Sequence, residues 1–201
     1  MMPVGAAYGT WPASGEVDIM ESRGNAPGYA GGGGCDTSSS TLHWGPFWPQ
    51  NGYLKTHASY NGSGDLTQAF HKYGLTWSPT AMTSTIDGVP VLSVPINETF
   101  WHRGGWDASP GLDNPWQDGG ANAPFDQRFY LIINLAVGGT NGYWPDGVGG
   151  KPWEDNSAHA VNDFWGAVNT WYPTWTAPFE IDYVRVYQTA GEGDFAYRLN
   201  L

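Results

Sequence analysis

The chain has almost no amphipathic helical stretch, and this constrains its fold more than any other feature. Short segments that alternate apolar and polar side chains follow one another, separated by Gly, Pro, Asn and Asp. The first runs from Gly15 to Glu21 and the second from about Phe70 to Trp77, with Tyr73, Leu75 and Trp77 on one face. Met82 to Leu92 is interrupted by Asp87-Gly88, a dipeptide suited to a tight hairpin. The most regular is Phe129 to Val137, where Phe129, Leu131, Ile133, Leu135 and Val137 line one face. The last, Phe179 to Tyr187, leads into a polar tail over 189–201. Only Ala158 to Val168 reads as a short helix. Strands at intervals with long Gly/Pro/Trp loops predict an all-β, antiparallel sandwich or jelly roll. The 201 residues suit a single domain over 1–188.

Composition narrows the partner. Charged residues make up 13% and the net charge is -11, so neither nucleic acid nor an anionic membrane surface is expected. The 12 Trp and 11 Tyr fit a neutral partner instead, since aromatic faces stack on the C–H faces of sugar rings. About half of the Trp are expected in the core, where aromatics dominate the energetics. Cys35 is the single cysteine, follows four glycines and reads as incidental. No signal peptide or membrane span is evident. The triplets Asn61-Gly62-Ser63 and Asn97-Glu98-Thr99 are glycosylation sequons, a weak pointer to secretion.

The chemistry concentrates in Gly15-Glu16-Val17-Asp18-Ile19-Met20-Glu21. On a regular strand Glu16 and Asp18 share one face while Val17 and Ile19 take the other. Unbroken alternation would send Glu21 into the core, where an unpaired carboxylate is costly. A one-residue bulge at Ile19 or Met20 would return Glu21 to the acidic face, and that bulge is predicted. Three carboxylates on one face repel, and packing gives no reason to gather them. Retaining glycosidases do need two carboxyl groups roughly 5–5.5 Å apart, one as nucleophile and one as acid/base. With a bulge, the two Glu Cα atoms stand about 13 Å apart, and two long side chains leaning inward can close most of that. Crowding also separates the two proton affinities, keeping one group acidic and one ionised. A solvated acidic edge strand is the competing reading of the string alone.

The stretch Trp11-Pro12-Ala13-Ser14-Gly15-Glu16-Val17-Asp18-Ile19-Met20-Glu21-Ser22-Arg23-Gly24-Asn25 closely resembles the signature of glycoside hydrolase family 16. The likeness is to its laminarinase branch, which carries the extra residue between Asp and the second Glu. Leu42-His43-Trp44-Gly45-Pro46, Phe70 to Trp77, Ala123 to Gln127, Asn134 to Gly139 and Phe179 to Tyr187 also match, so the likeness runs from about Tyr8 to Tyr187.

The resemblance implies a concanavalin-like β-jelly roll with an open glycan cleft, and a retaining endo-β-1,3-glucanase. Glu16 maps to the nucleophile, Glu21 to the acid/base, Asp18 to the assisting carboxylate and His43 to a histidine near the acid/base. Trp11 matches an aromatic that stacks on the sugar beside the scissile bond. Trp48, Trp116 and Trp153 are candidates for other subsites or for the core. Asn134, on the polar side of its strand, is a candidate to reach the cleft. Asp182 matches a position that holds structural calcium in many relatives, with a plain surface Asp as the alternative. No cofactor is required for catalysis. The expected partner is β-1,3-glucan, including mixed β-1,3/1,4 chains, met by a secreted monomer.

The pattern is also incomplete. Family members carry several strands before the block matching Trp11, which supply an Arg and an Asn to the subsites, sheet partners and calcium ligands. Residues after Gln188 do not read as a permuted copy of them. Exposed sheet edges and an opened core are therefore expected. Two other functions share the resemblance: a non-catalytic glucan-recognition protein and a transglycosylase. Recognition proteins of this kind typically lose a catalytic glutamate, whereas both are kept here.

Overall fold

A computed structural model describes residues 1–62, 64–188 and the backbone of 197–200. Ser63 of the first sequon and most of the polar tail, 189–196 and 201, lie outside the described residues.

Among the described residues there are ten strands: β1 (Met2–Pro3), β2 (Glu16–Glu21), β3 (Thr37–His43), β4 (His57–Asn61), β5 (Tyr73–Trp77), β6 (Ala81–Ile86), β7 (Val89–Pro95), β8 (Phe129–Tyr130), β9 (Arg185–Gln188) and β10 (Tyr197–Asn200). They form antiparallel sheets in the orders β2-β3-β4, β7-β6-β5-β10-β9 and the small pair β1-β8. The all-β class and the sandwich arrangement are as the alternation predicts. The core joins the inward faces of the two larger sheets, with Val17, Ile19 and Leu42 from one and Leu75, Met82, Leu92 and Val94 from the other. Within the tail, Tyr197–Asn200 pairs with both β5 and β9.

The turn between β6 and β7 is the predicted hairpin. Asp87 and Gly88 both have positive φ, 50° and 83°, as a two-residue hairpin turn demands. Among the described residues three short α-helices and three 3-10 turns complete the fold. Of these, α2 (Ala160–Gly166) lies inside the stretch read as helical, followed by α3 (Val168–Trp171). The first, α1 (Phe100–Gly104), carries no helical period in the sequence. It is capped by Thr99, whose hydroxyl accepts the His102 N–H at 3.1 Å. Its Phe100 and Trp101 enter the core.

Two predicted strands are much shorter than the pattern implies. Of Phe129–Val137 only Phe129–Tyr130 is paired, and Ile132, Ile133, Leu135 and Val137 are exposed. Of Phe179–Tyr187 only Arg185–Tyr187 lies in a strand, while Phe179, Ile181 and Val184 are exposed. Alternation reports which faces differ, but a ladder also needs a neighbour. Among the described residues no strand lies alongside 131–137 or 179–184.

Candidate active site

A tight turn sets the start of β2. Gly15 has φ +80° and its N–H donates to the Pro12 carbonyl at 3.0 Å, while an added Cβ would lie 3.0 Å from the Phe125 ring. From there Val17 and Ile19 point into the core, 1% and 7% exposed, and Glu16 and Asp18 point the other way. In the ladder Glu16 faces His43, Asp18 faces Thr41 and Glu21 faces Ser39. From Asp18 to Glu21 is three residues on β2, whereas Thr41 to Ser39 is two on β3. The extra residue is the predicted bulge. It lifts Glu21 out of the core pattern, leaving Glu16, Asp18 and Glu21 all half-buried.

Side-chain contacts tie this face together. Trp11 Nε1 donates to Glu16 Oε2 at 2.6 Å. Asp18 Oδ2 faces His43 Nε2 at 3.3 Å as an ion-pair contact, and that buried oxygen accepts no hydrogen bond. His43 Nδ1 lies 2.8 Å from Asn51 Nδ2. One oxygen each of Glu16 and Asp18 and a ring nitrogen of His43 fall within 4.8 Å of one another. That spacing suits a proton-sharing group.

The electrostatics follow from burial and crowding. Burial raises the Glu16 pKa and the Asp18 charge adds to it, while the Trp11 hydrogen bond and His43 oppose. Burial likewise raises Glu21, with Asp18 reinforcing and His43 and Arg23 opposing. For His43, burial works against the charged ring, but the hydrogen-bonding pull of Asp18 and the charges of Asp18, Glu16 and Glu21 outweigh it and raise its pKa. Acid groups held above their ordinary range are what proton donation to a leaving group requires.

Aromatic rings border the acids. Trp11 lies 5.7 Å from the His43 ring and 5.6 Å from Trp48, and Tyr53 stacks on His43 at 5.2 Å. Trp48 is 65% exposed, so its face is free. Beyond Glu21, the Arg23 guanidinium lies over the Tyr143 ring at 3.8 Å and donates to the Tyr143 carbonyl from Nη2 at 2.7 Å. Trp144 Nε1 donates to Asn25 Oδ1 at 3.1 Å. The loop carrying Tyr143 and Trp144 is fastened by Lys151, whose buried ammonium binds Asp146 at 2.5 Å, Asp155 and the Trp144 carbonyl at 3.0 Å.

The model of the family "Glycosyl hydrolases family 16" matches residues 4–110, more than half of the chain and all of the carboxylate strand. The chain belongs to glycosyl hydrolases family 16. The beta-1,3-glucan-binding protein of Penaeus monodon is 46% identical over 94% of this chain and 53% of its own length. The glucan endo-1,3-beta-glucosidase of Cryptopygus antarcticus is 32% identical over 92% of this chain and 53% of its own. The chain thus spans about half the length of these curated relatives. A solved family 16 endo-glucanase from Bacteroides ovatus overlaps 43% of this chain and 36% of its own, at 26% identity and a TM-score of 0.35.

For a family 16 chain, the remaining sequence candidates fall out unevenly. Glu16, Asp18, Glu21, His43, Trp11 and Trp48 converge as described. Trp116 does not: it is 4% exposed, donates to the Ala13 carbonyl at 2.7 Å and packs among Trp44, Trp101 and Trp106. It is a core residue, placed there because a large apolar ring gains more from burial than from a loop position. Asn134 is exposed on the unpaired stretch after β8, so no strand aims it at the carboxylates. Trp153 is half-buried, donates to the Gly139 carbonyl at 2.8 Å and meets Phe164 edge-on, contacts that hold its loop. Asp182 is exposed, and among the described residues no group of three acidic, His or Cys ligands includes it. Sequence reading missed Asn51, Tyr53, Arg23 and Tyr143. Asn51 precedes Gly52, and an Asn-Gly pair reads as a turn, which hides its role.

Proposed function

We propose that this family 16 domain hydrolyses internal bonds of β-1,3-glucan, mixed-linkage chains included, with retention of configuration. The observation that carries this reading is the bulge at Ile19–Met20, which returns Glu21 to the face of Glu16 and Asp18. A fold gains nothing from three half-buried carboxylates on one face, so their assembly is explained by chemistry. Glu16 attacks the anomeric carbon while Glu21 protonates the departing oxygen, giving a glycosyl-enzyme. Glu21 then takes a proton from water, which releases the product. Asp18 holds the proton balance between the two. Trp11 and Trp48 offer ring faces to the sugar. Secretion accords with a polysaccharide substrate too large to enter a cell.

A second reading is supported by the 46% likeness to a glucan-binding protein. Under it the same face binds glucan without cutting it.

Reducing-sugar release from laminarin, measured beside Glu16→Gln, tests the proposal. Release that vanishes in the variant, while laminarin binding persists, is the expected result. Binding without release in both proteins would give the site to recognition.

A further inference from the structure

The loop between Gly45 and Gly52 leaves the end of β3 and folds straight back on it. Gly45 makes this possible, because a Cβ there would lie 1.7 Å from the Gln50 carbonyl oxygen. The Gly52 N–H donates to the Trp44 carbonyl at 2.7 Å and closes the loop. Asn51 is thereby held beside His43, and its amide is oriented from both ends. Oδ1 accepts the Tyr53 N–H at 3.2 Å, which leaves Nδ2 facing His43 Nδ1 at 2.8 Å. An amide nitrogen has only hydrogens to offer. His43 Nδ1 must then accept, the ring proton sits on Nε2, and Nε2 is the atom facing Asp18 Oδ2 at 3.3 Å.

We propose that Asn51 is a positioning residue that fixes His43 as the Nε2–H tautomer, with Nε2 turned toward Asp18, and works against protonation of the ring at Nδ1. It acts on the reacting carboxylates through His43, and so rests on the hydrolytic reading of the site. The other groups around the ring are Glu16, Asp18 and Glu21 from β2, His57 from β4, and Tyr53, whose ring stacks on it. The three carboxylates draw a second proton onto His43, and the Asn51 hydrogen bond is what they pull against. Protonating Nδ1 would set one N–H against another, and turning the amide would strand the Tyr53 N–H. The Asn51 hydrogen bond thus offsets part of what the three carboxylates do to the ring.

The test is two-bond 1H–15N correlation of the histidine rings, with His43 assigned through His43→Gln. At about pH 8 the wild-type ring should be the Nε2–H tautomer. In Asn51→Leu the His43 titration should move up by about one pH unit, the worth of one hydrogen bond. Asn51→Asp should move it further and place a proton on Nδ1. A neutral wild-type ring protonated on Nδ1 would overturn the proposal, as would a titration unchanged in both variants. Should Asn51→Leu not fold, the wild-type tautomer and Asn51→Asp still decide it. None of these measurements uses substrate, so a wild-type chain that cuts no laminarin would count against the hydrolytic reading and leave the His43 result standing.

Discussion

Trp11 Nε1 donates to Glu16 Oε2 at 2.6 Å, so the indole that borders the carboxylates is also bonded to one of them. The bond favours the ionised form of Glu16 and offsets part of what burial and Asp18 do to it. Trp11→Phe keeps a ring and removes the donor. The Glu16 pKa should rise by roughly one unit, since a hydrogen bond to a charged group is worth somewhat over 1.4 kcal/mol. The acidic limb of the kcat/KM profile on laminarin should move to higher pH, with little change on the alkaline side.

Glu21 should be a stability cost near neutrality. Its pKa is raised above 4.5 in the fold, chiefly by burial, so folding favours the protonated acid. The stabilisation that goes with this is fully present below the unfolded value and is lost as pH rises through the folded one. Glu21→Gln should therefore melt higher than wild type at pH near 7 and equal to it at pH near 4, as followed by circular dichroism. Its laminarin hydrolysis should fall by about 10²–10⁴-fold.

Retention makes its own prediction. Followed by NMR from the first minutes, the reducing ends released from laminarin should appear as the β-anomer and only later equilibrate. An initial α-anomer would rule out the double displacement through Glu16.

Thr56 anchors the segment behind His43. Its buried hydroxyl accepts Trp44 Nε1 at 2.7 Å and donates to the Leu42 carbonyl at 2.8 Å. Thr56→Val strands the indole N–H, at about 1–3 kcal/mol. The melting temperature should drop by roughly 2–4 °C per kcal/mol.

Lys151→Met should loosen the loop beside Glu21. The ammonium is 2% exposed between two carboxylates, and removing it leaves Asp155 half-buried without its cation. Limited proteolysis should cut first between Tyr143 and Asp155, at protease levels that leave the wild type whole.

The contrast between β2 and the stretch after β8 shows what a sequence can disclose. At β2 the alternation, the cost of burying Glu21 and the chemistry of paired acids converge on one local solution, and the bulge is where they place it. Asp87-Gly88 is legible for the same reason, since the turn depends on two residues. Phe129–Val137 alternates more regularly than β2 and still forms only two paired residues, because pairing belongs to the neighbour as much as to the strand. Trp116 fails differently. Nothing local distinguishes a loop Trp that faces solvent from one that folds inward onto Trp44 and Ala13, over 70 and 100 residues away. Asn51 reaches His43 only because Gly45 lets the chain double back, an event encoded as an absent side chain.

The neighbouring pair Trp11 and Trp48, 38% and 65% exposed, also carries an optical consequence. Trp44, Trp101, Trp106 and Trp116 are buried and emit from the core, whereas this pair emits from the border of the acidic face. A sugar ring laid on it would displace water from both indoles and shift only their share of the fluorescence. The chain is built with its own occupancy gauge, readable without label and without turnover.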